Sequence, residues 1–191
     1  MKEKYALGTI ELGTEVYVSD PCYRVGTWCQ ALVKGMKPGK YHGFMYKKNF
    51  GTAPWQGKRV TDLWIAHETK VDLFPKAILD SNISIGVDSG AAGIYDKEYF
   101  EKYHTLEEGK YIDDYSESSR WYDKQFDLRY CYDKDGNIIN SYRDKEVERK
   151  DGIALDNKCV ISFSGYGDGS YRLYSYKNKR GEIIGLRIRF I

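Results

Sequence analysis

The clearest hydrophobic pattern in the chain lies in residues 162–191. Ile184, Leu186, Ile188 and Phe190 alternate with Gly185, Arg187 and Arg189. Period two is the mark of a strand with one buried and one wet face. A strand over the preceding residues and the turn Asn178-Lys179-Arg180-Gly181 complete a hairpin, with Gly181 free to take a positive φ. Upstream, residues 7–18 alternate weakly around Gly8 and Gly13 and read as a hairpin or two short strands. Pro21 interrupts them and holds Asp20 extended at a strand end. Residues 28–36, 40–47, 59–67 and 83–87 read as further strands, with an exposed loop over 48–58. Asp96 predicts the N-cap of a short helix over 97–103, which packs Tyr99, Phe100 and Tyr103 on the sheet. A second helix is expected over 121–126. A hairpin is expected around Asp133-Lys134-Asp135-Gly136, and 143–151 reads as a solvated, charged connector. The fold expected is mainly β (α+β): antiparallel sheets packed as a sandwich or distorted barrel, with one or two short helices. A chain of 191 residues suits a single domain.

Composition changes this picture little. The hydrophobic fraction is 41% and the charged fraction 30%, as in globular chains. A net charge of +2 carries no polyanion footprint, so general nucleic-acid binding is not expected, although local basic patches have room to form. No apolar run approaches the ~20 residues of a membrane span. Cys22, Cys29, Cys131 and Cys159 form no C-x-x-C pair, so neither a zinc ribbon nor any cofactor is expected, and a cytoplasmic chain with reduced thiols is. The 18 tyrosines suit strand surfaces and pocket walls alike.

Candidate chemistry gathers in three loops, each after a predicted strand. They are Ser19-Asp20-Pro21, running on to Tyr23; Asp88-Ser89-Gly90; and Gly167-Asp168-Gly169-Ser170. Such loops converge at one end of a sheet when they form a polar pocket. Glycines let N–H groups cradle an anion, and the carboxylates of Asp20, Asp88 and Asp168 suit sugar hydroxyls. The competing reading has each aspartate bonding its own turn. Lys47, Lys48, Lys58 and Arg59 surround a loop with Phe50 and Trp55, where cations beside aromatics clamp phosphate and stack a base. The ligand-contacting set expected is therefore Asp20, Tyr23, Asp88, Ser89, Asp168, Ser170, Lys48 and Arg59. The Gly165-x-Gly167-x-Gly169 spacing is wrong for a dinucleotide fingerprint, and a strand follows it rather than a helix. Asp133-x-Asp135-x-Asn137 lacks the glycine of a calcium loop. His42, His67 and His104 form no metal pair, and no nucleophile elbow is present.

Ser19-Asp20-Pro21-Cys22-Tyr23, the run from Val87 to Asp96 and Ser164-Gly165-Tyr166-Gly167-Asp168-Gly169-Ser170-Tyr171 together resemble the DUF4241 proteins, uncharacterised relatives encoded by phages and prophages of Gram-positive bacteria. The resemblance implies a mainly β fold and a phage accessory role in the infected host's cytoplasm. It carries no catalytic residue. With the three loops, it leads to the expectation of a counter-defence protein that sequesters a small nucleotide-like signal, with homo-oligomers possible. Two alternatives stand beside it. One is a phosphodiesterase-type enzyme using His67 or Asp168. The other is an inhibitor of a host protein anchored by Trp55.

Overall fold

A computed structural model describes residues 1–51, 57–69, 79–104, 131–132, 138–139 and 151–191; for 79–82, 103, 131–132 and 138–139 it describes the backbone alone. The expected C-terminal hairpin forms at the centre of the fold. Strands β1 (Lys2–Leu12), β4 (Gly39–Asn49), β5 (Lys58–His67), β13 (Ile183–Arg189), β12 (Gly169–Lys177) and β6 (Leu79–Val87) make one antiparallel sheet in that spatial order. A second antiparallel sheet runs β10 (Gly152–Leu155), β11 (Cys159–Phe163), β7 (Ala91–Asp96), β2 (Glu15–Ser19) and β3 (Ala31–Lys34). Helix α1 (Lys97–His104) follows β7 directly, and β8 (Cys131–Tyr132) pairs with β9 (Ile138–Ile139) around the expected turn. Neither large sheet closes, so the architecture is a sandwich and not a barrel.

Leu186, Ile188 and Phe190 enter the core between the sheets, with Val16, Val18, Ile10, Leu63 and Ile94. Strand β7 is buried on both faces. Its Ala92 and Ile94 meet the inter-sheet core, while Ala91 and Tyr95 meet Tyr99 and Phe100 of α1. His104 closes that layer. Its ring stacks on Phe100 at 4.0 Å, and its Nδ1 and Nε2 face the carbonyls of Phe100 and Pro21, each at 3.1 Å.

Of the two arrangements expected for residues 7–18, separate strands form and the hairpin does not, because Gly13 and Thr14 carry the chain from one sheet to the other: β1 pairs with β4, and β2 with β3 and β7. Two expectations change. Trp28 precedes its strand and lies in the loop before Ala31. Ile184 leaves the alternation, because a register shift beside Tyr176 turns it to the outer face with Trp64 and Phe44. The second helix expected over 121–126 lies outside the described residues.

Candidate functional site

The first two loops are joined by Asp20. Its side chain is fully buried at 0% exposure. Oδ2 accepts the backbone N–H groups of Asp88 and Ser89, each at 2.8 Å. Oδ1 accepts the Cys22 N–H and the Ser89 hydroxyl, also at 2.8 Å. Burial pushes the Asp20 carboxyl above the ordinary carboxylate range, against the pull of these four donors. All its described hydrogen bonds are therefore internal, and Asp20 is a clasp between loops rather than a group offered to a ligand. The turn-bonding reading was half right: the turn it bonds belongs mainly to another loop. Tyr23 reinforces the link by donating its hydroxyl to Asp88 Oδ2 at 2.5 Å, and that bond pushes the phenol up.

The third loop meets the second. Ser164 N–H donates to the Gly90 carbonyl at 2.9 Å. Within the third loop, Ser164 Oγ and Tyr171 OH donate to the Gly167 carbonyl at 2.5 and 2.7 Å. Gly165 has a φ of +75°, and a Cβ there would lie 2.5 Å from the Val60 carbonyl oxygen, so only glycine lets this loop sit against β5. Arg59 completes the contact, donating from Nη1 to the Gly165 carbonyl at 3.1 Å and lying over the Tyr166 ring at 4.8 Å.

Between these parts opens a cleft of about 380 Å³, walled by Lys58, Arg59, Ser89, Gly90 and Tyr166. Phe163 and Asp151 also line it. Asp151 pairs with Lys47, and Lys58 with Glu3 and the Tyr5 hydroxyl, which pushes the Lys58 ammonium up. Tyr166 is 62% exposed, with Phe50 tilted beside it at 6.1 Å and Lys48 over Phe50 at 5.1 Å. The cleft thus offers two cations, a stacking ring and a glycine-lined floor, the chemistry of a flat anion.

A family model described as "Protein of unknown function (DUF4241)" matches residues 55–188. The chain belongs to the DUF4241 family. No curated protein and no solved structure matches it. The DUF4241 match takes in Arg59, the Asp88 loop and the Gly165–Ser170 loop, and begins after Asp20 and Tyr23.

Of the residues expected to form the site, Ser89 and Arg59 line this DUF4241 cleft and Lys48 stands at its aromatic rim. Asp88 is exposed above the clasp, and Asp168 is exposed at the tip of the third loop. Ser170 points away, standing opposite Gly86 on the outer face of the sheet. Tyr166, Phe163 and Asp151 were not in the expected set. Tyr166, flanked by the motif glycines, carried a readable signal, whereas Asp151 is placed by a partner far off in sequence. His67 lies at the other end of β5, about 26 Å from Arg59 at the usual rise per residue. Its Nδ1 contacts the Thr69 hydroxyl at 2.9 Å, and burial and Lys37 push its pKa down. The enzyme reading offered His67 or Asp168, and these two alternatives stand at opposite ends of the sheet. Trp55 lies outside the described residues. Among those residues no helix is long and apolar enough to cross a membrane, and no cluster of three metal-ligating side chains occurs.

Proposed function

We propose that this protein binds a small nucleotide-like anion in the cleft between the three loops and holds it unchanged, as a sequestering accessory protein of the phage type its motifs resemble. The observation that carries the reading is the Arg59 guanidinium stacked on exposed Tyr166 and hydrogen-bonded to the Gly165 carbonyl, beside Lys58. Phosphate takes the cations and the glycine-loop N–H groups, and a base or ribose lies against Tyr166 and Ser89. Asp151 is the one carboxylate among the described lining residues, and it is occupied by Lys47. Holding a ligand needs no acid–base pair, and the arrangement matches that demand.

The test incubates purified protein with a mixture of cyclic and ADP-ribose-type nucleotides, filters it and denatures the retained protein. Mass spectrometry of both fractions should find an intact nucleotide released only on denaturation, and none from Lys58→Ala or Arg59→Ala protein. A new product in the filtrate would replace sequestration with catalysis, and an unchanged panel would overturn the proposal.

A further inference from the structure

Among the described residues, three large apolar side chains reach solvent on or beside β3 and β6: Trp28, Leu32 and Ile83. Strand register sends them three ways. Ile83 stands opposite Leu173, which enters the core between the sheets. Leu32 stands opposite Tyr17, which packs toward α1. Trp28 lies over Gly86. Ile85 and Val87, on either side of that glycine, enter the core, so Gly86 and the ring above it belong to the outer face of the six-stranded sheet. Trp28 is therefore a single exposed ring and not one corner of an apolar patch. A protein partner needs a broader apolar surface than that.

The ring is held, and what surrounds it is polar. Trp28 is 71% exposed, and only a glycine fits beneath it, since a Cβ on Gly86 would come within 2.0 Å of the ring. Its loop is pinned by Gln30, which donates to the Arg24 carbonyl at 2.6 Å and accepts the Gly26 N–H at 2.9 Å. Tyr23 meets the ring edge-on at 6.1 Å and donates its hydroxyl to Asp88 Oδ2 at 2.5 Å. Asp88 Oδ1 and the Trp28 indole N–H have no partner among the described residues. Ser170 stands opposite Gly86, and Ser84 stands two residues from it on β6, both exposed. Strand geometry puts those two hydroxyl-bearing residues about 5 and 7 Å from the glycine. Arg172, opposite Ser84, already has a partner, so the free charge beside the ring is the Asp88 carboxylate.

We infer that Trp28 is the platform of a second ligand site, which takes one neutral pyranose ring of a sugar. A pyranose has the two surfaces this setting asks for. The C–H bonds of one face, polarised by the neighbouring oxygens, meet the negative face of the indole. The hydroxyls at its rim donate to Asp88 Oδ1 and exchange hydrogen bonds with Ser170 and Ser84, and the indole N–H donates to a sugar oxygen. A nucleotide stacked there would set its phosphate against Asp88 without a free cation to offset it. The site uses none of the residues that line the cleft, and it stands or falls separately from the nucleotide reading.

The test is saturation-transfer NMR of the full chain with the methyl pyranosides of glucose, galactose, mannose and N-acetylglucosamine. The signal comes from the sugar's own protons, so removing the indole does not remove the readout. At least one glycoside should bind with a Kd of about 1 mM, the range that contact with one ring supports. The C–H protons of one sugar face should take up the most saturation. Trp28→Ala should weaken binding at least ~10-fold, with Trp28→Tyr recovering part of it. Gly86→Ala should weaken it similarly by lifting the ring. Its melting temperature should hold, because Gly86 has no positive φ and the displaced ring is exposed. Asp88→Ala should cost about 10-fold. Nucleotide retention should be unchanged in Trp28→Ala protein. No saturation of any of the glycosides at about 10 mM would overturn the inference, as would Trp28→Ala and Gly86→Ala proteins that bind like wild type. Adenosine or uridine that displaced the sugar and bound more tightly than every glycoside would also overturn it.

Discussion

Replacing Asp20 by asparagine changes one atom and tests the clasp directly. The carboxylate accepts four hydrogen bonds, two on each oxygen, and it offers no donor. Asparagine keeps one accepting oxygen and turns the other position into an NH₂ that faces N–H or O–H donors. Two bonds survive and two become opposed. A hydrogen bond to a charged group contributes about 1.5–3 kcal/mol, and a buried donor left unmet costs about 1–3. The two lost bonds sum to about 3–6 kcal/mol before relaxation. The Ser89 hydroxyl can rotate and the loop edge can reach water, so about 2–4 kcal/mol is expected for Asp20→Asn. Asp20→Ala should cost somewhat more, because all four donors lose their acceptor. Urea unfolding at neutral pH, followed by tryptophan fluorescence, measures both. Because the clasp positions Ser89 and Gly90, nucleotide retention should fall in both variants under conditions where they remain folded. An Asp20→Asn protein within about 0.5 kcal/mol of wild type would refute the reasoning, since surface changes fall within that range.

Burial lowers the His104 pKa from its ordinary 6.5 to about 4. The unfolded chain therefore binds more protons between those values, and stability should drop by about 3 kcal/mol as pH falls through that window. His104→Gln should show a correspondingly shallower loss in urea titrations at pH 7 and 4.5, and parallel losses would sink the assignment. Gly165→Ala should destabilise by at least about 2 kcal/mol, combining a strained φ with the approach to Val60. Gly26→Ala, with a φ of +87° and open space around it, should cost only the strain of about 1 kcal/mol, so equal melting shifts would refute the steric part. His67→Ala should lower stability without changing nucleotide retention, and a loss of retention at equal folding would reopen the enzyme reading.

What could be read from the chain divides by the range of the interaction involved. The alternation from Leu186 to Phe190 is local, and it correctly announced the hairpin that centres the larger sheet. It failed at Ile184, where a register shift against Tyr176 overrides the local period. The three Asp-and-Gly loops were likewise visible, because glycine and proline mark turns wherever they stand. Their convergence was an expectation that needed the pairing of β2 with β7, and of β12 with β6, to become geometry. Asp20 shows why motif chemistry alone misleads. A carboxylate beside a proline looks displayed, but its partners at Asp88 and Ser89 lie 68 and 69 residues away, and they bury it.

Charge hid for the same reason. Lys48 and Arg59 flank one loop in the chain, but Arg172 and Arg189 each stand between two hydrophobic residues, and only strand register sets those two opposite each other. Glu98 and Glu101 meanwhile line a second cleft with Glu15 and Asp96, beside Lys97 and Lys158, where α1 packs on the other sheet. A net charge of +2 is a sum over the whole chain and does not give the charge of the face on which Lys2, Lys4, Lys48, Arg59, Arg172, Arg187 and Arg189 stand with Asp62. For a two-layer β sandwich the total is thus a weak guide to partners. The sign of each face, which the period-two pattern assigns once the register is known, is the quantity that an approaching polyanion meets.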